Sequence, residues 1–426
     1  MTLRSISKQA GISLLLVLTG LGFLLLKAEA SPVDPKKYEQ ALVTATRLIS
    51  VGAWGDALST LNALTDEFPQ SRVGHLLKAD VFAALAGTRE QLSQFKSVEI
   101  ESLRQQIKLR WRHHQELSNK NEGLIPNKLI KVSAQQSLVL YVDLPAARLY
   151  IFRNNGQALV SEADYYVTIG KKGFGKEREG DLKTPVGIYS ISGYKPGSTL
   201  HERYGHGALT LDYPNPLDQH LKRTGYGIWI HGTEPGWINR GPFASDGCIT
   251  LSNNDFKNLV TRFDLQSGTL VVVDDQPIWK PMDWIETTKH SLVSELSFKS
   301  EIIDSPNKQG SSEHLVHDEK SVDLGLTEIL LYPGSSAELV TQRLLLSDMQ
   351  RKTIIIEYWN RDGEDRWRLD HRKEGTSLVK QSSIHEPPRA RTINTRFLFS
   401  PYLATALLAG TPQSRQRYNG KLSAER

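Results

Sequence analysis

A histidine and a cysteine seventeen positions apart are the side chains of this sequence best suited to covalent chemistry. His231 follows the apolar residues 228–230, and Cys248 closes the segment Ser-Asp-Gly-Cys at 245–248. A thiol is nucleophilic as its thiolate, so it needs a base or a positive local field, and histidine is a common base. Cys248 is also the single cysteine of 426 residues. Because free cysteine is among the most buried residue types, composition alone favours a core residue, and the surrounding residues have to decide.

The residues around Cys248 supply the other requirements of acyl transfer. Gly247 allows a tight backbone before the thiol, and residues 248–260 predict a short strand followed by a helix that is capped within 252–254. Backbone N–H groups at such a turn can bind an oxyanion. The sequence therefore predicts a nucleophile, a base and an anion-binding turn close together.

A mostly β domain is predicted to hold these residues. Alternating apolar residues over 137–152 predict two strands joined at 144–147, and residues 165–170 and 186–191 continue the strand pattern. Residues 268–275 read as a closing strand. We therefore predict one mostly β domain over 134–276, which contains both His231 and Cys248.

The motif His231-Gly232-Thr233, followed by Ser-Asp-Gly-Cys at 245–248, resembles the signature of the YkuD-type L,D-transpeptidase catalytic domain. The resemblance extends to the hairpin at 142–152, to the approach to the histidine at 211–232, and to a Thr-Pro-x-Gly turn at 184–187. It covers residues 134–276, about a third of the chain.

The resemblance implies a periplasmic enzyme that acts on peptidoglycan stem peptides. In this family the cysteine attacks the bond between L-Lys or meso-diaminopimelate and D-Ala in a tetrapeptide stem, and D-Ala leaves. An amine then resolves the acyl-enzyme, giving a 3-3 cross-link or an attached protein, or water does so and gives a tripeptide. No metal and no cofactor are implied.

Carried onto this chain, the resemblance makes Cys248 the nucleophile and His231 the general base. A backbone carbonyl near His231, that of Gly232, would orient the imidazole. The amides of Gly247 and Cys248 would form the oxyanion hole, within a turn that also contains Ser245 and Asp246.

Asp246 stands where the common family form has a second histidine, in a variant (Ser-Asp-Gly-Cys) that some members of the family carry. A carboxylate that faced the thiol would raise the thiol pKa and oppose its activation. The alternatives are that Asp246 points at backbone amides, points at His231, or takes the substrate amine.

Thr250 stands where the family often has an arginine, so the substrate carboxylates need another partner. Arg240 and Arg223 are the candidates, although both could equally be solvent-facing loop residues. Thr233, Thr250 and Trp237 complete the predicted substrate-binding set, with a core position as the alternative for the tryptophan.

The N-terminal residues predict export. Arg4 and Lys8 precede an uncharged, largely apolar run at 11–26, and a small-x-small site follows at 28–30. This is the pattern of a signal peptide over residues 1–30, with an uncleaved membrane anchor as the alternative. A lone cysteine in an exported chain has no partner for an internal disulfide.

The charge of the chain argues against a nucleic-acid partner. Its formal net charge is +5, of which the four charged residues of the leader supply +2. A balance of +3 over the remaining residues is too small and too dispersed for a nucleic-acid-binding surface.

The other predicted regions flank the β domain, so the fold class is multidomain α and β. Residues 31–115 predict a helical region similar to tetratricopeptide (TPR) repeats, because Ala57, Leu61, Leu64 and Pro69 have that spacing. It would serve as an arm for a protein partner, or simply pack on its neighbour. The remaining predictions are a linker at 116–133, a helix and polar linker at 277–320, a small α+β C-terminal unit at 321–385 and a basic tail at 386–426. The C-terminal unit is faintly similar to NTF2-like domains, which follow some catalytic domains of this kind, including those of shape-determining L,D-carboxypeptidases.

Three functions therefore remain open. The first is an L,D-transpeptidase. The second is an L,D-carboxypeptidase or an amidase that resolves the same acyl-enzyme with water. The third is a non-catalytic adaptor that binds the cell wall, and the presence of both His231 and Cys248 counts against it.

Overall fold

The computed structural model describes residues 35–88, 97–119, 123–303, 322–334, 338–346, 352–364 and 366–376. All of them belong to one compact unit. The predicted leader at 1–30, the polar linker at 304–320 and the basic tail at 386–426 lie outside these residues. Within the described ranges, no helix has the length and apolar character needed to cross a membrane.

The described part of the N-terminal domain, which we call the helical domain, contains four helices: α1 (Pro35–Ser50), α2 (Trp54–Glu67), α3 (Arg72–Leu85) and α4 (Val98–Asn119). Ala57, Leu61 and Leu64 are buried on α2, as their spacing predicts, and they pack with Tyr38 and Leu77 in the core of this domain. Ser71 caps α3, since its Oγ accepts the N–H of Gly74 at 3.0 Å. The likeness to TPR repeats stays a prediction.

The predicted β domain contains an eight-stranded sheet. Its strands, in chain order, are β3 (Leu138–Asp143), β4 (Arg148–Asn154), β5 (Leu159–Tyr166), β7 (Gly187–Pro196), β8 (Gly207–Leu211), β9 (Trp229–His231), β11 (Ile249–Thr250) and β12 (Leu270–Asp274). Across the sheet their order is β11-β9-β8-β7-β12-β3-β4-β5. Strands β3 and β4 form the predicted hairpin. Two short helices, α5 (Pro216–His220) and α6 (Asn253–Arg262), lie in the connections.

All six residues of β3 are buried, because the sheet is covered on both faces. Leu140 and Val142 face a core that includes Phe256 of α6, whereas Val139 and Tyr141 face a second core. The second core contains residues of α7 (Met282–Ile303) and of the C-terminal strands. The β domain is thus packed against the chain that follows it.

The C-terminal unit is a five-stranded sheet with the order β17-β16-β15-β14-β2. Its strands are β2 (Leu129–Lys131), β14 (Val322–Leu331), β15 (Glu338–Leu346), β16 (Lys352–Arg361) and β17 (Trp367–Thr376). The predicted hairpin after residue 359 is present as β16 and β17. Among the described residues of 321–385 we find strands and turns, and the NTF2-like label stays a prediction.

The interval 116–133 is not the linker that we predicted. Helix α4 continues to Asn119, and two short strands follow, β1 (Ile125–Pro126) and β2. Strand β1 pairs with β13 (Trp279–Lys280), and β2 pairs with β14. The apolar side chains of Ile125 and Leu129 are buried in the second core, which explains why strands β1 and β2 form in this polar-looking interval.

The edge of the large sheet brings His231 and Cys248 to neighbouring chain segments. Strands β9 and β11 are parallel, with Ile230 opposite Ile249 and His231 opposite Thr250. A further parallel pair joins β6 (Ile169–Gly170) to β10 (Phe243–Ser245), and β10 ends three residues before the cysteine. Cys248 thus lies immediately before β11, the strand beside the one that His231 ends.

Candidate active site

His231 is buried at the end of β9, with 3% of its surface exposed. Its neighbour Ile230 points into the core, so alternation along the strand puts His231 on the opposite face with Trp229. Tyr204 packs against both rings, with centroid distances of 4.9 Å to Trp229 and 5.0 Å to His231. The imidazole is therefore held by a strand on one side and by an aromatic ring on the other.

The carbonyl of Gly232 orients the imidazole, as the resemblance implies. His231 Nδ1 lies 2.5 Å from this oxygen, and because a carbonyl only accepts, Nδ1 carries the proton. Nε2 of the neutral ring is then an acceptor, and it lies 3.3 Å from Oγ1 of Thr250 on β11. Nε2, the nitrogen that can act as a base, thus faces β11, the strand that directly follows Cys248.

The turn before Cys248 is held by Ser245. Ser245 Oγ donates to the carbonyl of Cys248 at 2.6 Å and accepts the N–H of Gly247 at 3.1 Å. Gly247 has a φ of 125°, and a Cβ there would lie 2.8 Å from the carbonyl oxygen of Lys183, so only glycine fits. The Gly247 amide, which we expected in the oxyanion hole, is therefore bound within the turn.

Cys248 is half-buried, and its thiol donates to the carbonyl oxygen of Gly227 at 3.4 Å. Cys248 lies in the turn immediately before β11, which begins at Ile249. Thr250, the second residue of β11, contacts His231 Nε2. The thiol and the imidazole are thus carried by neighbouring chain segments, because β9 and β11 are paired.

Both groups are neutral at neutral pH. Burial is the main cause that lowers the pKa of His231 to about 4, and the positive charge of Arg240 adds to this shift. Burial also raises the pKa of the Cys248 thiol, and the carboxylate of Asp246 raises it further. The resting pair is therefore a thiol with a neutral imidazole, which can act as a general base when substrate arrives.

Among the residues that the structure describes, Asp246 is paired with Lys171 and has no hydrogen bond to His231 or to a backbone amide. Its carboxylate is more than half exposed, and the two charged groups are 2.9 Å apart. That hydrogen bond is the first cause of the lowered pKa of Asp246. Of the three alternatives for this carboxylate, the one that remains is binding of a substrate amine, and it stays a prediction.

Arg240 lies beside the His231 turn, and its guanidinium is already bound, so its role in substrate binding stays a prediction. It donates to Glu234 Oε2 through Nε at 2.8 Å and to Thr233 Oγ1 at 3.2 Å. Thr233 is fully buried, and its hydroxyl also donates to Glu234 at 2.7 Å. The three side chains form a cluster immediately after the His231-Gly232 pair.

Arg223 and Trp237 are not brought to this site, which corrects two of our candidates. Arg223 binds Asp218 at 2.9 Å, at the start of the chain that leads to β9. The ring of Trp237 lies under the guanidinium of Arg72 on α3, at 3.4 Å. The partner of Trp237 is distant in sequence, which spacing alone does not reveal, whereas Arg223 binds a carboxylate only five residues before it.

Asn253, the first residue of α6, was missed by sequence reasoning except as one of three possible caps. Ser252 is the cap, and Asn253 points to the His231 turn instead. Its Nδ2 donates to the Thr233 carbonyl at 2.6 Å, and its Oδ1 accepts the N–H of Thr233 at 3.2 Å. A Cβ on residue 232 would lie 2.3 Å from the same Oδ1. Glycine is therefore needed at position 232, the residue whose carbonyl orients His231.

A cavity of about 630 Å³ lies between the helical domain and the β domain, and neither Cys248 nor His231 lines it. Arg110, Arg148 and Asp164 are among its lining residues. The chemistry of the cysteine is therefore located at the open sheet edge and not in this cavity.

Comparison with known proteins agrees with this geometry. The sequence model of the YkuD family, described as an L,D-transpeptidase catalytic domain, matches residues 137–273. A search of curated protein sequences gave no significant match.

The solved structures that are similar to this chain include the following three. Bd1075 of Bdellovibrio bacteriovorus is 20% identical, with 59% of this chain and 98% of that chain covered and a TM-score of 0.48. The helical cell shape determining protein Pgp2 of Campylobacter jejuni is 19% identical, with 61% and 98% covered and a TM-score of 0.46. An L,D-transpeptidase of Xylanimonas cellulosilytica is 18% identical, with 32% and 60% covered and a TM-score of 0.22.

The family match spans the strands that carry His231 and Cys248 and includes the turn that Ser245 holds. Residues 137–273 are therefore a catalytic domain of the YkuD family of L,D-transpeptidases.

Proposed function

We propose that this chain is an exported cysteine L,D-transpeptidase that acts on the tetrapeptide stems of peptidoglycan. The family acts on peptidoglycan, and the observation that carries the proposal is the orientation of His231. Its Nδ1 proton is bound by the Gly232 carbonyl, which leaves Nε2 as the base beside Thr250, two residues after Cys248.

In the first half of the reaction, His231 Nε2 takes the thiol proton as Sγ attacks the carbonyl carbon of the third stem residue. The oxyanion of the tetrahedral intermediate is bound by the Cys248 amide, since the Gly247 amide is held by Ser245. When the C–N bond breaks, His231 returns the proton to the amine of D-Ala, which leaves. The product of this half is a thioester between Cys248 and the stem.

In the second half, His231 takes a proton from the incoming amine as the amine nitrogen bonds to the acyl carbon. The C–S bond then breaks, and the proton passes from His231 to the departing Sγ, which restores the resting thiol. The exposed Asp246 carboxylate at the rim is suited to attract an acceptor ammonium. Water in place of the amine gives a tripeptide, and this is the alternative activity of a carboxypeptidase or an amidase. The signal-peptide pattern at 1–30 supports a periplasmic location, with the membrane reached only through an uncleaved leader.

The test is to incubate the purified protein with tetrapeptide muropeptides and to analyse the products by mass spectrometry. Transfer predicts 3-3 dimers and free D-Ala, whereas hydrolysis predicts tripeptide and D-Ala. Cys248→Ala should release no D-Ala while keeping the wild-type circular dichroism spectrum. Release at the wild-type rate from Cys248→Ala would remove the nucleophile and the mechanism, and a wild-type protein that yields neither product would favour the non-catalytic adaptor.

A further inference from the structure

The loop that separates His231 from Cys248 rests on the helical domain. We call residues 233–241 the active-site loop. Trp237 lies under Arg72 of α3 at 3.4 Å, and Ile238 packs against the hydrophobic core of the helices. Gly241 approaches α4 so closely that a Cβ there would lie 1.8 Å from Ser102 Oγ. Three residues of the loop are thus in contact with a region far away in sequence.

The polar centre of this contact is Arg110 of α4. Its side chain is 4% exposed, and Nη2 donates to Asn239 Oδ1 at 2.8 Å. The same guanidinium forms an ion pair with Glu39 of α1 and lies 4.1 Å from the ring centroid of Tyr166. A buried cation with several fixed partners has little freedom, so the position of Asn239 is closely defined.

The residue that follows Asn239 is Arg240, and its backbone is fixed from the β domain. The Arg240 carbonyl accepts the Tyr166 hydroxyl at 3.3 Å and the Thr168 hydroxyl at 3.2 Å. The backbone of Thr168 is in turn bridged to Thr250, the residue that contacts His231 Nε2. The backbone at Arg240 is therefore fixed by contacts with both domains, and from this position the guanidinium binds Glu234 and Thr233.

An irregular nine-residue loop would otherwise lose the defined position of its charged side chains, because fixing each residue costs about 1–2 kcal/mol of conformational entropy. Here the cost is offset by contacts with a rigid helical surface. Among the cations, Arg240 has the largest effect on the pKa of both His231 and Cys248, and it lowers both values. Its position therefore contributes to the electrostatic potential at the reacting groups.

We infer that the helical domain is part of the catalytic apparatus: through Arg110 and Asn239 it positions the active-site loop, and with it the charge of Arg240, beside His231 and Cys248. Arg110 and Asn239 are positioning residues and not catalytic ones. The inference rests on the proposed roles of Cys248 and His231, and it extends them to a domain outside the family match.

The test uses the single cysteine as a probe, because alkylation by iodoacetamide can then report on one thiol without any peptidoglycan substrate. Intact-mass spectrometry gives the alkylation rate of the full-length protein between pH 6 and 10. Asn239→Ala should slow alkylation at pH 7.5 by about 3- to 10-fold, because the thiol pKa rises when the positive charge of Arg240 is displaced. The other charges that act on the thiol, Asp246 and Lys176, are unchanged in this variant.

Three further variants separate positioning from loss of structure. Asn239→Asp keeps an acceptor for Arg110 and should restore most of the rate. Asn239→Ala combined with Arg240→Gln should be no slower than Arg240→Gln alone, because both changes remove the same charge. Arg104→Met is the matched control: Arg104 lies on the same helix, pairs with Asp80 within the helical domain and should alkylate at the wild-type rate.

Additive effects of Asn239→Ala and Arg240→Gln, or a wild-type pH profile for Asn239→Ala, would overturn the inference. Rates of D-Ala release are measured in parallel. If no variant or wild-type protein releases D-Ala, the proposed function fails, while the alkylation profiles still decide whether the helical domain positions Arg240.

Discussion

His231 Nδ1 lies 2.5 Å from the carbonyl oxygen of Gly232, its neighbour in the chain. A backbone carbonyl thus takes the place that a carboxylate occupies in many catalytic triads. A carbonyl fixes the tautomer and the orientation of the ring, but it stabilises an imidazolium less than a carboxylate would. This difference agrees with a His231 pKa of about 4, for which burial is the main cause.

The first prediction concerns the acid side of the pH profile. Because the pKa of free His231 is near 4, the base stays unprotonated from pH 5 upward, and kcat/KM for D-Ala release should not fall between pH 7 and pH 5 on account of this residue. His231→Gln should lower kcat by about 100-fold or more, within the range for loss of a general base. If activity instead falls on the acid side with a midpoint near pH 6.5, and this midpoint is lost in His231→Gln, then the pKa of His231 is not lowered by burial.

The sequence could predict what depends on local pattern and motif. The hairpin of β3 and β4 follows from alternating apolar residues on either side of a short turn, and His231 and Cys248 follow from residue type. Strands β1 and β2 were not predictable, because their partners β13 and β14 lie far along the chain and only those partners order the interval. Trp237 was misassigned for the same reason: its partner, Arg72, belongs to another domain.

The direction of a charged side chain was also beyond the sequence. Asp246 adjoins the catalytic turn, yet whether it faces the thiol, the imidazole or solvent depends on where Lys171 lies, and that follows from the pairing of β6 with β10. Asn253 gave a weak signal as a possible helix cap. Its actual contacts with Thr233 require the packing of α6 against the end of β9.

The second prediction concerns Asp246. Its negative charge raises the pKa of Cys248, so Asp246→Asn should lower the thiol pKa and speed alkylation by iodoacetamide at pH 7.5 by about 2- to 5-fold. Asp56→Asn, which removes an exposed carboxylate of the helical domain, is the matched control and should leave the rate unchanged. If Asp246 also attracts the acceptor amine, the same variant should raise KM for the acceptor while it accelerates alkylation. Slower alkylation in Asp246→Asn would show that the carboxylate assists the thiol.

The third prediction concerns Asn253 as a positioning residue. Asn253→Ala removes both hydrogen bonds to Thr233 and frees the Gly232 carbonyl to move, so kcat should fall by about 10- to 100-fold. The free energy of unfolding should fall by about 1–3 kcal/mol, because polar backbone groups of Thr233 lose their partner. Asn254→Ala changes an exposed asparagine in the same helical turn and serves as the control. Equal kcat values for Asn253→Ala and Asn254→Ala would show that Asn253 does not position His231.

The fourth prediction concerns stability and the C-terminal sheet. Glu328 on β14 is 3% exposed, and burial raises its pKa to about 7 from the ordinary value of 4.5. The folded chain therefore keeps a proton that the unfolded chain releases, and the free energy of unfolding falls as pH rises from about 4.5 to about 7. The shift corresponds to about 3 kcal/mol at and above pH 7.

Glutamine at this position stays neutral at every pH, so Glu328→Gln should remove that loss. The variant should match the wild type at pH 4.5 and exceed it by up to about 3 kcal/mol at pH 8, measured by urea unfolding at both pH values. Glu364→Gln, at the exposed turn between β16 and β17, is the control and should show no such pH-dependent gain. Contributions from other buried carboxyl groups cancel in the comparison, because they are the same in both proteins. A difference between Glu328→Gln and wild type that is equal at the two pH values would mean that Glu328 is not protonated in the folded sheet at neutral pH.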